Sequence, residues 1–193
     1  MKEELRKHWI FYLVLYVLLV GVMVFGLWIS IPIYPNPHPE VESEDKLIKK
    51  LKNDIPDIVY VDFLEETYGL ENVRYQIRVR KRTRFGAVSG YSVGGEILIG
   101  DKSCHISVDG YAGGEIKSAY NFQYRDIEGC ASLISNQQKF GVIDVLFEEY
   151  KYSVSYSSGV TLDEGEISTL NEYAFEIVYK LIDMALDGDT IGK

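Results

Sequence analysis

The sequence predicts an α+β protein in which one N-terminal transmembrane helix precedes a mostly antiparallel β-sheet domain with helices near both of its ends. Three observations lead to this prediction. Residues 9–31 form an apolar run without Asp, Glu, Lys, Arg or His. Much of the chain from 57 to 156 alternates polar and apolar residues with period two, which is typical of half-buried strands. Segments 43–53 and 162–186 place apolar residues at helical spacing instead.

The apolar run from Trp9 to Ile31 would be roughly 35 Å long as a helix, and a hydrocarbon core is about 30 Å thick. Trp9, Tyr12 and Trp28 lie towards its ends, so we expect these rings to anchor the span at the headgroups of the lipid bilayer. A cleaved signal peptide normally has an apolar part of about 7 to 15 residues, and a buried soluble helix normally has one polar face. The run fits neither alternative well.

The residues around the run predict its orientation. Lys2, Arg6 and Lys7 precede it, and four acidic residues follow it before any lysine. Basic residues favour the cytoplasmic side, so we expect a single-pass protein of the cell membrane with its N-terminus in the cytoplasm and its C-terminal domain outside. The predicted parts are a cytoplasmic tail (1–8), a transmembrane helix (9–31), a proline-rich linker (32–42) and an extracytoplasmic α+β domain (43–193).

Charge and composition limit the partners of the outer domain. The net charge of the chain is −9, and residues 1–31 contain three basic and two acidic residues, so residues 32–193 carry −10. Such a domain is a poor binder of nucleic acid, and we expect no nucleic-acid partner. Aromatic residues make up 13% of the chain, which is too many for a disordered segment.

The two cysteines, Cys104 and Cys130, both fall in the part predicted to lie outside. An oxidising environment would allow them to form a disulfide, which would stabilise the domain by about 3 to 4 kcal/mol. The alternative is two buried free thiols.

The elements of the outer domain follow in order. A short amphipathic helix is predicted at 43–53, with Ser43 as its N-cap. Strands are predicted at 72–82, 95–99, 104–108, 116–125 and 150–156, whereas 126–147 fits either a short helix or another strand. A long helix follows at 162–186, with Thr161 and Glu164 as a capping box and Gly188 as its end. A short repeat, 90–97 against 110–116, predicts the same glycine turn before two successive strands.

No pattern in the sequence indicates catalysis, a metal or a cofactor. The spacing of the cysteines and histidines does not match a zinc site, and the glycine pairs lack the residues of a phosphate-binding loop. Cys104 and His105 are neighbours on a predicted strand, so their side chains would point to opposite faces and could not form a dyad. We therefore expect no catalytic residues, no metal, no cofactor and no enzymatic activity.

One cluster stands out in this acidic domain, a basic ribbon that runs along the predicted strand at 72–82 and just beyond its end. It consists of Arg74, Arg78, Arg80, Arg82 and Arg84. The ribbon would bind an acidic protein segment, an anionic glycan or a lipid headgroup. Alternatively, its arginines face acidic residues on neighbouring strands or protect a sheet edge from pairing with another chain.

These features favour a non-catalytic accessory, assembly or binding subunit that presents its outer domain to other membrane or surface proteins. An outward-facing ligand-binding or sensor module is the alternative, and it would need a tyrosine-lined pocket. A membrane-tethered hydrolase is the third hypothesis, and it would need two carboxylates about 5 to 10 Å apart in a pocket.

Overall fold

The structure, a computed structural model, describes residues 2–30, 43–79, 88–116 and 118–193. These residues belong to two units, one containing helix α1 and the other containing every other element. The helices are α1 (Lys2–Ser30), α2 (Glu44–Asp54), α3 (Leu64–Tyr68) and α4 (Glu164–Asp187). The strands are β1 (Glu71–Val79), β2 (Val88–Ile99), β3 (Lys102–Ala112), β4 (Phe122–Tyr124), β5 (Ile127–Ser132), β6 (Phe140–Phe147) and β7 (Tyr150–Ser158).

The seven described strands form one antiparallel sheet in the order β1-β2-β3-β7-β6-β5-β4. Strands β1 to β3 form one meander and β4 to β7 form a second. The chain crosses to the far edge of the sheet after β3, and the two meanders join where β3 pairs with β7. The sheet and the helices at both sequence ends of this unit confirm the predicted α+β class.

Helices α2 and α4 both pack on one face of the sheet. Alternation along β7 places Tyr152, Val154 and Tyr156 in the core beneath them. Leu47 and Leu51 of α2, and the apolar stripe of α4, complete this core. The opposite face, which we call the open face, carries one row of cross-strand neighbours formed by Gln76, Ser92, Asp109, Ser153 and Asp144. The side chains of this row are all polar, so the centre of the open face is hydrophilic.

A buried segment between α2 and α3 obtains its hydrogen bonds from tyrosines. Residues 58–61 are at most 7% exposed, yet they belong to no strand. The amide of Val59 donates to Tyr152 Oη at 3.0 Å, and Tyr91 Oη donates to the carbonyl of Val59 at 2.9 Å. Burial is the main cause that raises the pKa of both phenols above the ordinary value, so both stay protonated.

The N-terminus of α4 differs from the prediction by two residues. The capping box consists of Asp163 and Glu166, not of Thr161 and Glu164. The carboxylate of Asp163 accepts from the amide of Glu166 at 2.9 Å, and Glu166 accepts from the amide of Asp163 at 2.7 Å. Both T-x-x-E and D-x-x-E fit a capping box, so the sequence pattern alone did not decide between them. Gly188 ends the helix in the left-handed conformation, as predicted.

Two further predictions are corrected, and one open alternative is decided. The strand expected at 116–125 is reduced to β4, which spans only Phe122–Tyr124. The ambiguous segment 126–147 contains two strands, β5 and β6, and no helix. The two copies of the glycine repeat do not form the same turn. Residues 90–97 lie wholly within β2, whereas the second copy leaves β3 after Ala112 with positive φ at Gly113 and Gly114. Gly90 and Gly110 lie within β2 and β3, where a Cβ on Gly90 would come within 2.2 Å of the Gly110 carbonyl oxygen.

The N-terminal unit does not support the predicted transmembrane helix. Among the described residues, no helix combines the length and the hydropathy needed to cross a membrane.

Candidate functional site

The open face contains a polar groove where β1, β2 and β3 run side by side. Its volume is about 310 Å³. Gly94 and Gly95 contribute backbone to its wall, so no side chain from these two positions fills it. The side chains that line the groove are all polar: Asn72, Arg74, Gln76, Ser92, Glu96, His105 and Ser107. A groove of this volume and polarity suits a small hydrophilic ligand.

A bulge in β1 shapes the groove. The pairing of β1 with β2 shifts between Glu71 and Arg74, and Asn72 adopts a left-handed backbone with φ of 54°. A bulge bends its strand and interrupts the regular pairing, and the side chains of Asn72 and Arg74 both line the groove beside it. The bulge also requires glycine opposite, because a Cβ on Gly95 would come within 2.6 Å of the Glu71 carbonyl oxygen.

The floor of the groove is held by contacts across the sheet. Gly94 lies between Arg74 on β1 and Ser107 on β3. The hydroxyl of Ser107 is hydrogen-bonded to that of Ser155 on β7 at 2.9 Å. A Cβ on Gly94 would come within 2.6 Å of the Ser107 Cβ, so a larger residue would displace this floor. The groove therefore depends on the absence of a side chain at Gly94.

The groove contains two opposite charges without ion-pair partners. Neither Arg74 nor Glu96 forms a salt bridge with a described residue. Glu96 accepts one hydrogen bond, from the Ser103 hydroxyl at 3.2 Å. Both side chains are exposed, and His105 pairs with Glu96 in the register of β2 and β3. Each charge is thus available to an incoming group of opposite sign.

The other cations on the described open face are paired. Arg78 contacts Asp109 at 2.6 Å, and Lys151 contacts Asp144 at 2.7 Å. Burial opposes the charged form of Lys151, but the hydrogen bond and charge of Asp144 together outweigh it and raise the pKa of Lys151 above its ordinary value. The unpaired guanidinium of Arg74 therefore differs from these two paired cations on the same face.

The predicted basic ribbon divides into two parts. Arg74 and Arg78 lie on the open face of the edge strand β1, as the alternation predicted. Arg78 faces an acidic residue on another strand, which is the structural alternative considered for the ribbon. Arg74 faces the groove. Arg80, Arg82 and Arg84 lie outside the described residues.

The structure does not bring Cys104 and Cys130 together, and both are free thiols. Cys104 is on the core side of β3 with 1% exposure, whereas Cys130 is on β5 opposite Asp144 and so lies on the open face. Strands β7 and β6 lie between β3 and β5, which separates the two backbones by about 14 Å. A disulfide needs Cα atoms within about 7 Å, so the predicted bridge is not formed in this structure.

The predicted anchor residues belong to α1. Trp9 is 55% exposed and Tyr12 is 60% exposed. The side chain of Trp28 lies outside the described residues, as do the linker residues 32–42.

The residues of the core and of the groove can be compared with what a ligand-binding module and a hydrolase would each require. The tyrosines that alternate along β7 fill the core, so they do not line the groove. Glu96 is the one carboxylate among the described residues that line the groove, so the pair of carboxylates required for glycoside hydrolysis is not assembled there. No group of three or more His, Cys, Asp or Glu side chains among the described residues could hold a metal ion.

Sequence reasoning missed most of the groove. Asn72, Gln76, Ser92 and Ser107 are ordinary polar residues of half-buried strands, and His105 was considered only as a neighbour of Cys104. Their proximity follows from the strand register, in which Glu96 pairs with His105 and Gly94 with Ser107. The signal that could have indicated the groove was the pair Gly94-Gly95 within a strand pattern, because glycine there often marks a bulge or a close approach.

Comparisons of this chain with protein-family models, with curated proteins and with solved structures gave no significant match.

Proposed function

We propose that this chain is a single-pass membrane protein that presents its sheet domain outside the cell as a non-catalytic accessory, assembly or binding subunit for other membrane or surface proteins. One observation carries the proposal. Every described residue of α1 from Phe11 to Gly26 is exposed, and 14 of these 16 residues are large and apolar. A helix that is apolar on all sides needs an apolar environment, which a bilayer provides.

The proposal that this helix crosses the membrane rests on the amino-acid sequence. The described apolar stretch, 11–26, is shorter than the 20 or so residues that a span requires. The proposed span, 9–31, adds residues whose side chains the structure does not describe. The basic residues before the span support a cytoplasmic N-terminus.

Protease treatment of intact cells tests the topology. A tag on the C-terminus should be digested, whereas a tag on the N-terminus should survive until the membrane is opened. Retention in the membrane after alkaline carbonate washing should accompany this pattern. Survival of the C-terminal tag on intact cells would reverse the orientation, and release by carbonate would remove the anchor.

Site-specific photo-crosslinking tests the binding role. A photo-reactive residue at Ser155 on the open face should form adducts with other membrane proteins in native membranes. The matched control replaces Glu172, an exposed residue of α4 on the other side of the sheet domain. Adducts formed equally at both positions, or at neither, would count against the open face as the binding surface.

The groove supports a second candidate function, an outward-facing ligand-binding module. Its volume of about 310 Å³ and its polar lining suit a small ligand. A screen of small polar ligands for an increase in thermal midpoint is the first measurement for this candidate, because a ligand that binds the folded state alone stabilises it.

A further inference from the structure

We propose that the groove binds a free α-amino acid with a polar side chain, whose carboxylate pairs with Arg74 and whose ammonium group pairs with Glu96. This inference rests on the second candidate function, because it names the ligand of the same groove. It starts from the two opposite charges that line the groove and form no salt bridge with any described residue.

Arg74 is the residue that binds the carboxylate of the ligand. A guanidinium group binds a carboxylate through two parallel hydrogen bonds, and Arg74 has none of its donors committed to a described residue. The residue opposite Arg74 is Gly94, so no side chain blocks the approach of a ligand from the centre of the groove. The amides of Asn72 and Gln76 line the same wall and offer further donors.

Glu96 is the residue that binds the ammonium group of the ligand. It lies two residues beyond Gly94 on the same face of β2, so its backbone is about 7 to 8 Å from that of Arg74 across the diagonal. Both side chains are long enough to reach into this space from either end. The amino and carboxylate groups of an α-amino acid are attached to one carbon, so a single small molecule can contact both residues.

The lining decides between ligand classes. A phosphate or other multiply charged anion would be repelled by Glu96, and a simple carboxylate would leave Glu96 without a partner. A sugar ring would find no aromatic surface, because the lining contains no aromatic side chain apart from His105. An apolar side chain would find no apolar wall, whereas a hydroxyl or amide side chain could bond with Ser92, Ser107 or His105.

Calorimetric titration of the full chain in detergent micelles tests the inference. L-Serine and L-asparagine are the probes, with L-leucine, acetate and methylammonium as comparisons. Serine or asparagine should bind at least about tenfold more tightly than either single-charge compound, because only the amino acids engage both charges. Leucine should bind more weakly than serine, because its side chain has no matching wall.

Variants assign the two contacts. Arg74→Gln and Glu96→Gln keep the approximate side-chain size and should each weaken serine or asparagine binding by about tenfold or more. Arg78→Gln is the matched control, since Arg78 is on the same strand and face but is already paired with Asp109, and it should leave the affinity unchanged. Circular dichroism should show that all three variants are folded.

The possible results separate this inference from the functions proposed above. Binding of acetate or phosphate as tight as that of serine, abolished by Arg74→Gln, would overturn the amino-acid assignment and keep the ligand-binding function. An absence of binding by every compound would overturn the amino-acid assignment, and a negative stability screen would then remove the ligand-binding function as well. None of these results alters the topology test, which depends on α1.

Discussion

Tyr91 and Tyr152 show how individual side chains replace a strand partner. The backbone of Val59 is buried under the sheet, where an unpaired amide or carbonyl would be costly. The two phenols supply one acceptor and one donor to it, at 3.0 and 2.9 Å. These hydroxyls therefore hold the segment between α2 and α3 in place beneath β2 and β7.

Replacement of either tyrosine tests this role. Tyr91→Phe and Tyr152→Phe keep the ring but leave one polar group of Val59 unsatisfied, so each should lower the free energy of unfolding by about 1 to 3 kcal/mol. Urea denaturation followed by circular dichroism measures the change. Tyr120→Phe is the control, because Tyr120 is 49% exposed, and it should have little effect. An unchanged stability of Tyr152→Phe would contradict the role assigned to its hydroxyl.

The sequence pattern predicted the direction of the Tyr152 side chain but not that of Tyr91, which fell in a predicted glycine turn. It predicted the partner of neither tyrosine. The alternation of Tyr150, Tyr152 and Tyr156 with polar residues was sufficient to place them on one face. The partner of Tyr152 is 93 residues away, and such a contact follows only from the complete sheet order. The same limit applied to the groove, where Arg74 was predicted as a binding residue but Glu96 and His105 were not.

At the scale of elements, the side chain of Asn171 connects helix α4 to the loop between β5 and β6 by hydrogen bonds. Its side-chain oxygen accepts from the amide of Ile134 at 3.2 Å, and its side-chain nitrogen donates to the Ile134 carbonyl at 3.2 Å. Tyr156 Oη donates to the same oxygen at 2.7 Å. One side chain therefore connects the helix, the loop and β7.

Asn171→Ala should lower the free energy of unfolding by about 2 to 3 kcal/mol, because it removes three hydrogen bonds in a partly buried site. Asn121 provides a matched control, since it makes the same two-bond contact with the backbone of Ala131 but in an exposed position. Asn121→Ala should therefore cost less than about 1 kcal/mol. Urea denaturation measures both losses. Equal losses in the two variants would contradict the larger contribution assigned to the partly buried Asn171.

The N-terminus of α4 predicts a response to acid. The hydrogen bond from Lys102, followed by that from the Asp163 amide, holds the pKa of Glu166 below its ordinary value of 4.5. A lowered pKa in the folded state means that this contribution to stability is present above the ordinary value and is lost as the pH falls through the lower one. Glu166→Gln should therefore show a smaller loss of thermal midpoint between about pH 5 and about pH 3 than the parent chain.

Two further variants test which residue is the N-cap of α4. Asp163→Ala should cost about 1 kcal/mol at neutral pH, whereas Thr161→Ala should be nearly neutral, because Asp163 is the N-cap. If Glu166→Gln lost stability in acid as steeply as the parent chain does, the role of this carboxylate would be excluded.

Elements were easier to predict than their ends. The apolar stripe of α4 and its stop at Gly188 were correct because helical periodicity extends over many residues. The cap was displaced by two residues, and β4 was predicted too long. Both errors arose where the local pattern fits more than one possible first or last residue of the element. Tertiary contacts, such as that of Glu166 with Lys102, then select one of these residues.

At the scale of the whole molecule, the strand order decides the chemistry of the cysteines. Cys104 and Cys130 are 26 residues apart in sequence, but β7 and β6 come between their strands in the sheet. Both of these strands follow Cys130 in the chain, so no pattern around the cysteines could reveal the separation. Burial raises the pKa of the Cys104 thiol, which further limits its reactivity.

Addition of a reducing agent should leave the thermal midpoint unchanged, because the folded chain contains two free thiols. A disulfide closing this loop would instead contribute about 3 to 4 kcal/mol, which reduction would remove. A thiol-reactive maleimide should label Cys130 before Cys104, and a Cys130→Ser variant should lose the fast labelling. A reductant-dependent fall in the midpoint would contradict the free thiols.

The junction of β3 with β7 has a consequence for synthesis. While the ribosome is still producing residues 113–149, the meander of β1 to β3 has a bare edge on β3, with its amides and carbonyls unpaired on that side. Neither β7 nor α4 exists at that stage to close the sheet or cover it. A chain that ends before Tyr150 therefore exposes an unpaired edge of β3, which can pair with the same edge of another copy.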